Sequence, residues 1–333
     1  MTITRRLVAA FAAVIVFVGG SMAAEDTMTL GRTLSADFRE GRMQPLWDRM
    51  TPQMRQALGR IEALEDVRVA VENQFGAERT LLSEEEGEAQ GHRLYLRTAQ
   101  HENGAAPLVT QFAFDADDRI AGFFVRPRQQ AAESRFLDYR TRTDLRLPFD
   151  GEWFVYWGGR TLEDNYHAID AGQRFATDFV VMRDGASQEG DPRVLDSYHC
   201  WDRPILAPAD ATVTGVVDGL PDQAIGEADP QHPAGNHVVL DFGGGEYGFL
   251  AHMRRNSIEV RTGDRVAAGA KIGRCGNSGN TSEPHLHFHL QTTPVLGDGE
   301  GLPGSFTDYV ADGKAVERGE PVRGQVVSPA GGG

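Results

Sequence analysis

The chain has 333 residues, 40% hydrophobic and 24% charged, with a formal net charge of −15. That length allows two domains of ordinary size, and that composition excludes a disordered chain. The negative charge excludes long-range attraction to nucleic acid or an anionic membrane, so no nucleic-acid partner is expected.

The chain opens with the pattern of an export signal. Arg5 and Arg6 precede an apolar run from Leu7 to Val18, and Ser21-Met22-Ala23 puts small residues where a signal peptidase reads. The run is too short to span a bilayer comfortably, and nothing after residue 24 has transmembrane character. Residues 1–23 are therefore expected to be a cleaved signal peptide. The mature chain is expected to carry no membrane span and to be periplasmic or secreted. Cys200 and Cys275 are compatible with one disulfide in such a compartment and equally with two buried thiols. Without a C-x-x-C spacing they argue against a structural zinc ribbon.

Residues 25–140 read as a small α+β domain. Thr33 to Met50 has helical spacing, with Leu34, Phe38, Leu46 and Trp47 as apolar points. Thr51-Pro52 is a helix cap followed by a proline at the first helical position, and Met54, Leu58, Ile61 and Leu64 continue at steps of three and four. Val67 to Phe75 reads as a third short helix, stopping at Gly76. The period then changes to two over Leu94–Leu96, Val109–Phe114 and Ile120–Val125, which predicts strands. Helices followed by an antiparallel sheet resemble the cystatin-like or NTF2-like accessory domains of secreted hydrolases. His92 and His101 are isolated and read as surface residues.

Gln129 to Arg146 is polar and charge-rich and reads as a linker. Residues 147–310 change character: short β-branched or aromatic runs, punctuated by Gly and Pro, predict a mainly β domain, an antiparallel sandwich or open barrel. Residues 311–333 are expected to be a tail that frays at Pro329–Gly333.

Eight of the ten histidines lie between residues 167 and 289. His285-Leu286-His287-Phe288-His289 is the sharpest group. Alternation along a strand puts the three imidazoles on one face and Leu286, Phe288 and Leu290 on the other. Histidines two apart lie about 6.5–7 Å apart at Cα, close enough for one to bind a metal and another to reach its water. The histidine face is expected to line a concave or half-exposed surface. Before it runs Gly273–Pro284, a Gly/Asn/Ser loop ending in a proline that holds the chain extended ahead of His285.

The segment from Val260 through Phe288, V-x-x-G-D-x-V-x-x-G-x-x-I-G-x-x-G-N-S-G followed by P-H-L-H-F, resembles the lysostaphin/LytM-type zinc metallopeptidases. So do Pro204–Asp210, Gly235–Leu240 and Phe249–Met253, and together these cover roughly residues 165–290. The resemblance implies a lysostaphin-type peptidase fold, one Zn2+ and hydrolysis of peptidoglycan peptide cross-links. It implies His287 as a metal ligand and His285 and His252 as catalytic histidines. The family's first motif is commonly H-x-x-x-D, and here it diverges. His167 and Asp170 are one residue too close, whereas Asp178 stands in Phe175–Met182, a run apolar on both faces. A carboxylate there costs several kcal/mol unless it is paired or binds a cation. The metal set is therefore read as His167, Asp178 and His287, with Asp170 and His199 in reserve. His289, where the family more often has Glu, is read as a second-shell residue or pocket lining. The alternative reading is an inactive family member that binds cell wall or activates another wall hydrolase.

Overall fold

The computed structural model describes residues 26–331 apart from Gln90 and Ala105; the expected signal peptide lies outside them. The chain divides after Gln129 into two compact units. Among the described residues, no helix is long and apolar enough to cross a membrane.

The first unit has helices α1 (Thr27–Arg39), α2 (Met43–Arg49), α3 (Pro52–Leu58) and α4 (Glu62–Phe75). Strands β1 (Glu78–Ala89), β2 (His92–His101), β3 (Leu108–Phe114) and β4 (Ile120–Pro127) follow as an antiparallel meander. Thr51 caps α3, its hydroxyl accepting from Met54 N at 3.2 Å. The expected 33–50 helix is two helices, and the continuous 51–64 period is broken at Gly59, whose φ of +79° suits a residue without Cβ. β1 escaped the periodicity because its Ser83-Glu84-Glu85-Glu86 run has no apolar face; it is an edge strand, where charge discourages further pairing. Leu34, Phe38, Leu46, Tyr95 and Phe112 are in its core.

The second unit carries β5 (Trp153–Trp157), β6 (Thr177–Val180), β7 (Pro204–Leu206), β8 (Ala211–Val217), β9 (Asn236–Asp241) and β10 (Tyr247–Met253). It continues with β11 (Arg265–Val266), β12 (Lys271–Arg274), β13 (Leu286–Gln291), β14 (Gly301–Leu302), β15 (Phe306–Ala311), β16 (Lys314–Gly319) and β17 (Val326–Pro329). The main sheet is antiparallel in the order β11-β8-β9-β10-β13-β6-β5-β17-β15-β16, with β14 beside β13. Leu286, Phe288 and Leu290 enter the core with Phe179, Leu250 and Phe306, as alternation along β13 requires.

Two expectations are corrected. The expected tail carries strands at Lys314–Gly319 and Val326–Pro329: β17 pairs with both β15 and β5, and Val327, opposite Trp153, is fully buried because its apolar side chain joins the core. The 129–146 linker is packed onto the second unit. Glu246, fully buried, accepts from Tyr139 Oη (2.9 Å), Arg142 N (2.7 Å), Thr143 N (3.0 Å) and Thr143 Oγ1 (2.5 Å), which satisfies its carboxylate and pins the segment.

Cys200 and Cys275 form a disulfide across a sequence separation of 75. In the chain-entropy account, closing a loop of that size stabilises the folded state by about 4 kcal/mol. Cys200→Ser with Cys275→Ser is therefore expected to lower the thermal midpoint of the second unit by roughly 10 °C, measured by calorimetry in the oxidised protein. An unchanged midpoint would mean the link adds nothing to stability.

Candidate functional site

The site grows from the pairing of three adjacent strands. β13 lies between β10 and β6, and the register sets His287 directly opposite Asp178 on one side and Ala251 on the other. Directly paired residues share a sheet face, so Asp178 and His287 must meet. His287 Nδ1 is 2.9 Å from Asp178 Oδ1. His289 likewise pairs with Phe249 and stacks on its ring at 4.6 Å.

His167 arrives from a short 3-10 turn, Tyr166–Ile169, and sets Nε2 3.0 Å from Asp178 Oδ2. Asn165, fully buried, builds that turn: its Oδ1 accepts from His167 N, and its Nδ2 donates to Gly159 O (3.0 Å) and Ala176 O (2.9 Å). His167, Asp178 and His287 each offer a ligand atom, and these atoms lie within 4.8 Å of one another. Two imidazoles and a carboxylate at that spacing suit a divalent ion such as zinc, whose ligands at about 2.0–2.1 Å stand roughly 3.3 Å apart. Burial pushes the Asp178 carboxyl up, but His167, His285 and His287 outweigh it and hold it well below the usual carboxylate range.

His252 depends on an irregularity. In strict alternation Ala251 would share the His287 face and residue 252 would point into the core. The register slips between Leu250 and Met253, and His252 takes φ +60°, a conformation costing about 1–3 kcal/mol for a residue with a Cβ. The bulge turns its ring to 5.7 Å from that of His287 and 4.6 Å from that of His285. Two bonds hold it there: His252 N donates to Ala234 O at 3.0 Å, and Nδ1 lies 2.8 Å from Ser278 O. Ser278 reaches that place because residue 235 is glycine: with φ +56°, a Cβ there would stand 2.2 Å from Ser278 O.

His285 Nδ1 lies 2.8 Å from Glu283 O, and its Nε2 is 3.7 Å from Asp178 Oδ1. A carbonyl only accepts, so Nδ1 carries a proton in both His252 and His285. Burial holds the His252 ring well below its ordinary pKa, with His285 and His287 adding to it, so it is neutral at pH 7.

A cleft of about 330 Å³ opens over this cluster, lined among others by Tyr166, Ile169, His252, Asn280, His287 and His289. The histidine face of β13 is buried rather than half-exposed, at 9%, 3% and 2% for His285, His287 and His289, because the turn at Tyr166 and the loops at Pro233 and Asn280 roof it. Asp170 lines the cleft but is absent from the three-residue cluster; its Oδ1 caps the following turn through Gly172 N and Gln173 N. His199 is also outside the cluster. Sequence reasoning did not single out Asn165, Tyr166 or Ser278. An asparagine one residue before a turn was a readable signal for the first, whereas Ser278 acts through its carbonyl, which side-chain identity does not reveal.

Residues 199–298 match peptidase family M23. Over 60 residues the chain is 40% identical to peptidoglycan DD-endopeptidase ShyA of Vibrio cholerae serotype O1, which is 18% of this chain and 14% of that one. Among solved structures, the catalytic domain of the prophage-encoded M23 protein EnpA from Enterococcus faecalis is 19% identical, covering 47% of this chain and 93% of its own, at a TM-score of 0.30. The catalytic domain of lysostaphin from Staphylococcus simulans is 19% identical, covering 46% and 88%, at a TM-score of 0.28. Scores this low carry no argument of their own.

Replacing Asn165 by Ala strands two carbonyls and the turn amide, at about 1–3 kcal/mol for each buried group left unsatisfied. Asn165→Ala is expected to lose at least 2 kcal/mol in denaturant unfolding; a loss below 0.5 kcal/mol would remove its assigned role in shaping the turn. The match to peptidase family M23 spans residues 199–298, about a third of the chain.

Proposed function

We propose that this protein is a zinc-dependent endopeptidase that hydrolyses peptide cross-links of peptidoglycan after export. The observation that carries the reading is the facing of two sets across one cleft. His167 Nε2, Asp178 and His287 Nδ1 converge on one point, and the His252 ring stands 5.7 Å from that of His287 and 4.6 Å from that of His285. A divalent ion at the first set would supply Lewis acidity to a scissile carbonyl and to an attacking water.

The chain's own groups do the rest. His252 is neutral and held by Ser278 O, so it is poised to take the proton of the attacking water. Once protonated, its Nε2–H can donate to the developing oxyanion or return the proton to the departing amine. His285 is held the same way by Glu283 O and offers a second acceptor beside it. Asp178 favours a positive charge on either ring. The roofing loops keep bulk water away from these transfers, which strengthens each electrostatic contact. Placement in the periplasm or outside the cell is supported by the N-terminal pattern and by the disulfide, which persists in oxidising compartments.

The test is digestion of purified cell-wall sacculi. The protein should release peptides, lose this on chelation, and fall about 10²–10⁴-fold with His252→Ala or His285→Ala. A zinc-loaded protein that releases nothing would be a wall-binding or activating relative instead. The ligand set has its own test: by metal analysis, Asp178→Asn should lose its zinc and Asp170→Asn should keep about one per chain. The reverse pattern would reassign the carboxylate.

A further inference from the structure

The row of paired residues that builds the site does not stop at Asp178. On its far side β6 pairs with β5, and there Val155 stands opposite Phe179 while Trp157, not Tyr156, stands opposite Asp178. The extra residue is a β-bulge. It leaves Tyr156 outside the ladder at 47% exposed, and it puts Trp157 on the sheet face that carries Asp178 and His287. Tyr166, 46% exposed, arrives from the turn that also brings His167. Its ring centre is 5.4 Å from that of Trp157 and 4.0 Å from that of His167, and Tyr156 meets Trp157 edge-on at 5.6 Å. Three aromatic rings thus run in contact from an open surface to the rim of the cleft, which Tyr166 lines.

The middle ring is clamped. Arg323 sets its guanidinium carbon 4.3 Å from the Trp157 ring centre, and is itself fixed: its backbone N donates to Gly158 O at 2.9 Å and its Nη1 to Glu163 O at 2.7 Å. A Cβ on residue 158 would stand 2.8 Å from Pro321 O, so glycine there lets residues 321–323 close on the strand. Rings held this way lose little freedom when a partner lies on them. What can lie there is restricted. β5 is hydrogen-bonded to β6 on one side and to β17 on the other, so the ledge has no open strand edge with which an extended peptide could pair. The chain's net charge of −15 gives no attraction for a polyanion. An uncharged partner with flat C–H faces and a polar rim meets both conditions, and a chain of pyranose sugars has that form. Its ring hydrogens can rest on the electron-rich aromatic faces while its hydroxyls meet the polar edges of the rings.

We propose that Tyr156, Trp157 and Tyr166 are a docking ledge for the sugar strand from which a peptide cross-link hangs, so that the strand lies on the rings while its peptide enters the cleft. This names a further part of the substrate for the function proposed above and rests on that reading. Contacts to a part of the substrate that does not react bind ground state and transition state alike, so the ledge acts on KM rather than on kcat. Tyr156 is the residue that tests it, because its ring touches Trp157 and it belongs to neither histidine set.

The experiment uses the full chain and two substrates: soluble cross-linked peptidoglycan fragments that keep their sugars, and the same cross-linked peptides with the sugars removed. Tyr156→Ala should raise KM for the sugar-bearing fragments roughly 3–10-fold more than for the bare peptides, the range of one aromatic contact, with kcat moving far less. Tyr156→Trp should recover most of that loss. Equal losses on the two substrates would mean that the ledge holds peptide, and no loss on either would mean that it holds nothing; each result overturns the proposal. Calorimetric titration with peptide-free glycan strands gives a readout that needs no turnover. The chain should bind them, and Tyr156→Ala should weaken that binding by a similar factor. No binding, or binding indifferent to Tyr156→Ala, also overturns the proposal. A chain that binds glycan through Tyr156 yet cleaves no cross-link sinks the endopeptidase function and leaves the ledge standing.

Discussion

Burying a carboxylate in a protein costs several kcal/mol unless cations and hydrogen bonds replace its water. Asp178, 4% exposed on a strand buried at every position, is tolerated because imidazoles take over that role. The rest of the C-terminal unit is arranged around that requirement. β6 must lie beside β13 so that His287 is opposite, and the turn carrying His167 must fold over the strand end so that both carboxylate oxygens are met. A carboxylate in a dry place, with two imidazoles within reach, could hold a positive ion.

The two sets of histidines are held by different kinds of structure. Asp178 and His287 sit in regular ladder positions, where strand pairing fixes their separation. His252 owes its place to a strained bulge, and loops supply what keeps it there: Ala234 on one side and Ser278 on the other. The loop carrying Ser278 is itself tied down, since Cys275 is bonded to Cys200 and Gly276 bridges to His285. His252 thus carries backbone strain within the cluster, whereas Asp178 and His287 lie in regular strand pairing.

Much of this was legible in local pattern. The Thr51-Pro52 cap, the period of two over residues 109–125 and the alternation of His285, Leu286, His287, Phe288 and His289 each report a backbone geometry that neighbouring residues dictate. The need of Asp178 for a distant partner was also readable, because a carboxylate amid Phe175–Met182 has none nearby in the run. β1 was not readable, since its glutamates mask the strand period. Nor were the strands beyond residue 311, whose few apolar side chains gain meaning only against the core they cover.

The amino-acid sequence by itself determined which side chains can share a strand face, which residues are able to hold a cation, and that Asp178 needed a counter-charge. All of these follow from covalent identity and the two-residue period. The tertiary structure alone decided that His167, eleven positions before Asp178, is the residue that supplies part of that charge. It also decided that His252 leaves its regular face through a bulge, and that a serine carbonyl holds its ring. Such relations depend on register, loop path and backbone carbonyls, and none of these is written in the type of any single residue.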